Sequence, residues 1–216
     1  MTITIREPGS AITHLIGMIL AVFASIPLLL KAALFDSRTA VLAMAVFMTS
    51  MILLYGASTL YHSVNVSGKR LKIFRKIDHM MIFILIAGSY TPVCLLVLEP
   101  HSGKSLLIAV WGIAAVGILL KALWITCPKW FSSIIYIAMG WACVSVFGQL
   151  LTLLSAPAFG WLLAGGILYT VGGVIYALKL PVFNSLHRNF GSHEIFHLFV
   201  IGGSICHFIC MYCYIL

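Results

Sequence analysis

Seven apolar stretches, each about as long as a bilayer is thick, constrain this chain more than any other feature. They lie at roughly residues 11–33, 40–63, 77–98, 105–125, 130–154, 158–178 and 193–215. A helix needs about 20 mostly apolar residues to cross the ~30 Å hydrocarbon core. The sequence therefore predicts an all-α integral membrane protein, a bundle of seven transmembrane helices. Composition agrees: 62% of the 216 residues are hydrophobic and 8% charged, with a mean hydropathy of +1.12, which excludes a soluble globular domain. The connecting loops are short, so residues 1–216 read as a single domain. The first stretch runs unbroken from Ala11 to Leu34 without a charged cluster before it, too long for a secretory h-region, and reads as an uncleaved helix.

The formal charge of +8 is a matter of topology and not of nucleic-acid binding. With the amino terminus inside, ten Lys and Arg residues fall on the inner side and three, Lys31, Arg38 and Lys104, on the outer. By the positive-inside rule the amino terminus is cytoplasmic and the carboxyl terminus outside, in an inner (plasma) membrane. The densest run, GKRLKIFRK from Gly68 to Lys76, reads as an inner loop.

Three polar constellations stand out against this apolar background. HEIFH, at the start of the last stretch, holds His193 and His197 four residues apart; on a helix they share a face about 6 Å apart along the axis, within reach of one metal ion. Ser58 and His62 repeat that spacing at the end of the second stretch. Asp78, at the start of the third, is the one acidic residue between Asp36 and Glu99; a carboxylate at the edge of a span needs a partner, here either Arg75 and Lys76 nearby or a metal site.

Other polar features read as structural. Ser10, after Pro8 and Gly9, is a plausible cap for the first helix, and His14 is assigned to the interface or a neighbouring carbonyl. Ser192 reads as cap for the last helix, which an amphipathic loop, KLPVFNSLHRNFGSHE from Lys179 to Glu194, leads into along the inner surface. His207 lies about 15 Å beyond His197 and on another face, too far to join it. Gly165, Gly166, Gly172 and Gly173 let the sixth span approach a neighbour, and spans four to six read as scaffold. The six cysteines show no paired CxxC motif and read as buried thiols, with Cys210 and Cys213 the one pair near enough to examine.

Depth joins these weak motifs. His62 lies in the last inner turn of span two, Asp78 in the first inner turn of span three, and His193 and His197 in the first inner turns of span seven. A bundle that closes span seven against two and three collects three imidazoles at the cytoplasmic side. Three neutral histidines leave zinc one open position, the arrangement of catalytic sites. Asp78 then serves as general base or holds the water, and Ser58 faces the developing oxyanion of a carbonyl substrate.

At these residues a family resemblance emerges. Ser58-xxx-His62, Asp78 and His193-xxx-His197, with the strings STLYHS, KIDHMMIFILIAGSYTP, YIAMGW and GGSICHF, resemble the hemolysin III family, the bacterial branch of the progestin and adipoQ receptor group. The likeness covers essentially the whole chain. It implies a zinc ion bound by His62, His193 and His197 with Asp78 beside its water, and kinship with alkaline ceramidases, hence hydrolysis of a membrane lipid amide or ester. Two other classes stay open: a receptor or membrane-state sensor with structural zinc, and a cytolytic pore-former, which no water-lining helix supports. HEIFH also matches the H-E-x-x-H pattern of zinc proteases, in which Glu194 would be the base.

Overall fold

The computed structural model describes residues 5–35, 37–178 and 190–216. Among them are seven helical spans long and apolar enough to cross a membrane. They are α1 (Pro8–Leu34), α2 (Arg38–Ser63), α3 (Gly68–Leu96), α4 (Pro100–Leu123), a fifth span made of α5 (Lys129–Gly140) and α6 (Phe147–Leu153), α7 (Ala156–Leu178) and α8 (Ser192–Cys210), which runs on through Met211–Ile215. Consecutive helices pack pairwise from α1 to α4, α5 packs on α7 and α3, α7 on α8, and α8 returns to α1, so the bundle closes on itself. The expected amphipathic segment before span seven falls mostly on residues 179–189 and lies outside the described residues.

The expected spans are present, with four local corrections. GKRLKIFRK is the first turns of α3 rather than a loop. Lys and Arg are good helix formers, and the apolar helix simply extends beyond the slab. α1 starts at Pro8, which suits the first helical position because it has no amide proton to leave unpaired; Ser10 is therefore inside the helix and not its cap. α8 starts at Ser192, and the Glu194 carboxylate, not Ser192, accepts the Gly191 amide at 2.8 Å. The fourth correction concerns the fifth span, where a 3₁₀ turn, Ala142–Val146, interrupts the α-helix.

That interruption frees backbone groups inside the apolar region, where each must find a partner. Tyr90 of α3 supplies both. Its hydroxyl donates to the Gly140 carbonyl at 2.5 Å and accepts from the Cys143 amide at 3.0 Å. The Trp141 indole donates to Thr170 of α7 at 2.9 Å.

Without a hydrophobic drive between helices in lipid, close approach and hydrogen bonds set the packing. A Cβ on Gly165 would stand 2.3 Å from His207, and one on Gly172 would stand 2.7 Å from the Phe199 Cβ, so α7 and α8 touch along this face. Gly166 and Gly173 of the same expected set meet nothing so close. Ser204 of α8 bonds to Tyr55 of α2 at 2.7 Å and Tyr169 of α7 at 2.8 Å. All six cysteines, Cys210 and Cys213 included, are free thiols.

Between α3 and α4 the contact is tightest at Gly103, where a Cβ would stand 2.1 Å from the Cys94 carbonyl oxygen, a backbone atom that cannot rotate away. Gly103→Ala is expected to destabilise the bundle by about 1–3 kcal/mol. Gly112→Ala, in the same helix but with nothing within 4 Å of the new Cβ, should leave it unchanged. Thermal melts of the detergent-solubilised variants check the contrast.

Candidate metal centre

Three helix ends meet at one end of the bundle, where α2 finishes and α1 and α8 begin, and α3 passes beside them about three turns from its start. Because Ser58 and His62 are four residues apart, both face inward from the last turns of α2, each 2% exposed. His193 and His197 likewise share the inner face of the first turns of α8. The His62 and His193 Nε2 atoms stand 3.2 Å apart. Ring centroids are 4.9 Å apart for His62 and His193, 5.3 Å for His62 and His197, and 4.5 Å for His193 and His197.

One ring nitrogen from each of the three lies within 4.8 Å of the others. A tetrahedral zinc centre with bonds of about 2.0–2.1 Å sets its donors roughly 3.3–3.4 Å apart. The His62–His193 pair already has that spacing, and a His197 nitrogen lies within 4.8 Å of both. The donor set thus fits a transition-metal ion held by three imidazoles.

Asp78 is buried at the end of the third turn of α3, with Ser58 beside its carboxylate. Lys76 is not its partner: the ammonium donates to the Ala122 carbonyl at the end of α4. Asp78 lines a cavity of about 130 Å³ that also touches His193 and His197 and is otherwise walled mainly by apolar side chains of α3, α5, α7 and α8. A second cavity of about 80 Å³ adjoins it past Tyr90, Trp141 and His207. On the other side of the histidines lies a polar vestibule lined by Glu7, Tyr61, Arg75 and Lys129, which also reaches Asp78 and His193. The three imidazoles therefore stand where a polar opening meets an apolar interior.

Sequence reasoning overlooked several groups here. His14 does not reach an interface or a carbonyl. It is 3% exposed, lies parallel on the His197 ring at 3.5 Å, and neither of its nitrogens has a partner among the described residues. His79 is buried beside Asp78 and faces both the apolar cavity and the vestibule. Glu7 accepts a hydrogen bond from His62 Nδ1, and that bond holds its carboxyl down to about 2 against the opposing cost of desolvation. Thr13 Oγ1 meets His197 Nδ1 at 3.0 Å. Ser10 donates to Glu194. None of these pairings has a periodic signature, since each links residues of different helices. His207 stays apart, at the far reach of the cavity, with Nε2 on the Leu162 carbonyl at 3.2 Å.

A seven-span membrane bundle with a three-histidine cluster at one end, opening on an apolar cavity, defines a class of membrane protein before any comparison is made. A profile of the family described as Haemolysin-III related matches residues 3–208, and the chain belongs to that family. It is 40% identical to Hemolysin-3 of Bacillus cereus over 211 residues, 98% of this chain and 92% of that protein. Hemolysin-3 homolog of Bacillus subtilis (strain 168) is 38% identical over 98% of this chain and 95% of its own. More distantly, the adiponectin receptor protein of Drosophila melanogaster is 24% identical over 94% of this chain and 49% of its own length.

Elemental analysis of the detergent-purified protein should find about one transition-metal ion per chain, lost in His62→Ala and in His193→Ala/His197→Ala and retained in His207→Ala.

Proposed function

We propose that this protein is a zinc-dependent hydrolase of a membrane lipid amide or ester, with its histidine end at the cytoplasmic face of the plasma membrane. The observation that carries this reading is the position of the three imidazoles and the Asp78–Ser58 pair, at the junction of a polar vestibule and an apolar cavity. A lipid with its acyl chain among α3, α5, α7 and α8 has its amide or ester beside Asp78 and its head group in the vestibule.

His62, His193 and His197 hold the metal. Zinc, when bound, supplies Lewis acidity and lowers the pKa of a water toward ~7. Asp78 would take a proton from the water that attacks the scissile carbonyl and return it to the leaving amine or alcohol. Ser58 keeps Asp78 in place; its service to the developing oxyanion requires its hydroxyl to leave Asp78 as the substrate enters. The apolar cavity excludes bulk water, which strengthens each of these electrostatic contacts.

The name of the Drosophila relative favours a second reading, a receptor, in which the metal would serve the fold alone, and the name of the Bacillus cereus relative a third, a cytolysin. The apolar walls of the interior speak against a water-filled pore.

The protein in lipid vesicles, offered a panel of N-acyl amides and acyl esters, should release free fatty acid. Asp78→Asn is expected to lower that rate roughly 10²–10⁴-fold while keeping its metal. Glu194→Gln should keep most of the rate. Loss in Glu194→Gln with activity in Asp78→Asn would assign the base to HEIFH. A receptor instead predicts no turnover by wild type on any member of the panel, with Asp78→Asn leaving signalling intact.

A further inference from the structure

We infer that Glu7 and Thr13, from the amino-terminal arm and the first turns of α1, are positioning residues that set the tautomer and aim of two metal-binding imidazoles. This rests on the reading of His62, His193 and His197 as metal ligands.

An imidazole can offer a metal one nitrogen only if the other carries its proton. Whatever bonds to that second nitrogen therefore chooses the tautomer. A carboxylate can only accept, so the Glu7 contact places the proton of His62 on Nδ1 and leaves the Nε2 lone pair directed at His193. The Thr13 hydroxyl has one proton, and it goes to the carbonyls of Gly9 and Ser10, each 3.0 Å away. Its oxygen is then free to accept from His197 Nδ1 at 3.0 Å, which leaves that ring's Nε2 for the metal. Two rings are thus set in the same sense by neighbours only six residues apart in sequence. Among the described residues His193 has no such partner for its buried Nδ1.

The arm is held where this requires it. The Glu7 amide donates to the His62 carbonyl at 3.0 Å, and the Arg6 guanidinium sits 4.3 Å from the centre of the Tyr61 ring. Ser10, between the two positioning residues, donates to Glu194 in the first turn of α8. Residues 6–13 therefore tie the ligand-bearing end of α2 to the ligand-bearing end of α8. An arm that merely packed there would need neither the carboxylate nor the hydroxyl.

The test is metal affinity, without substrate. Detergent-purified protein, stripped with chelator, is titrated with Co(II) by its visible spectrum and then with zinc in competition. Glu7→Ala and Thr13→Val should each weaken zinc binding roughly 10–100-fold, and Thr13→Ser, which restores the hydroxyl, should bind as wild type. Melting temperatures of the stripped Thr13→Val and wild-type proteins should agree, showing that the fold is intact. The positioning role is overturned if wild type binds Co(II) and both variants bind as tightly. It is equally overturned if Thr13→Ser fails to recover affinity, or if the stripped Thr13→Val protein melts earlier in proportion to its loss. Wild type that takes up no Co(II) would remove the metal centre itself, an outcome distinguishable because the loss then lies in wild type and not in the variants.

Discussion

The histidine cluster depends on α8 lying at one depth against α2, because His62 meets His193 across that boundary at 3.2 Å. A slide of one residue along α8 would move the imidazoles by about 1.5 Å and turn them by roughly 100°. What prevents it is remote from the site. Gly165 and Gly172 bring α7 onto α8 at separations that admit no Cβ, and Ser204 joins Tyr55 and Tyr169 in a buried bridge from α2 through α8 to α7. Each hydrogen bond of that kind within a membrane is worth on average ~0.6 kcal/mol. The register is therefore set more by steric fit than by bond strength.

The interrupted fifth span and the cavity have a common physical origin. A continuous helix from Lys129 to Leu153 would present one face to α3 and α7 along its whole length. The 3₁₀ turn at Ala142–Val146 shifts that face, and Tyr90 reaches into the gap to satisfy the released Gly140 carbonyl and Cys143 amide. Tyr90, Gly140 and Trp141 consequently line both cavities. The space inside the bundle exists where regular packing stops.

Much of this was legible from residues alone. The seven spans follow from apolar length, which the bilayer enforces. Ser58, His62, Asp78, His193 and His197 can be placed at one depth because each falls within a turn or two of a span end. What stayed hidden has a different character. The Glu7–His62 and Thr13–His197 contacts join positions 55 and 184 residues apart, and no periodicity encodes a pairing between helices. His14 reads as an interfacial residue from its place near a helix start; only the closure of α8 on α1 buries it against His197. The break in the fifth span escaped notice because hydropathy reports apolar length and not helical continuity, and no proline marks it.

Of the three carboxylates near the histidines, Glu7 is committed to His62, and for the proposed hydrolysis the commitments of Asp78 and Glu194 separate the two candidates for base. Glu194 has both oxygens engaged: Oε1 accepts from Ser10, and Oε2 accepts from the Gly191 amide, closing the first turn of α8. Such a group serves the helix start, where a negative charge also suits the dipole, and freeing it would undo the cap that orients His193. Asp78 begins no helix turn of its own and has beside it Ser58, a side chain that can rotate away without disturbing backbone. It also lines both the apolar cavity and the polar vestibule, which Glu194 does not; Glu194 borders the vestibule alone. A base must reach the water and the scissile bond together, and of the two carboxylates Asp78 is the one placed on both sides of that boundary. On the proposed reading, the H-E-x-x-H string at residues 193–197 is a pair of ligands with a helix cap between them.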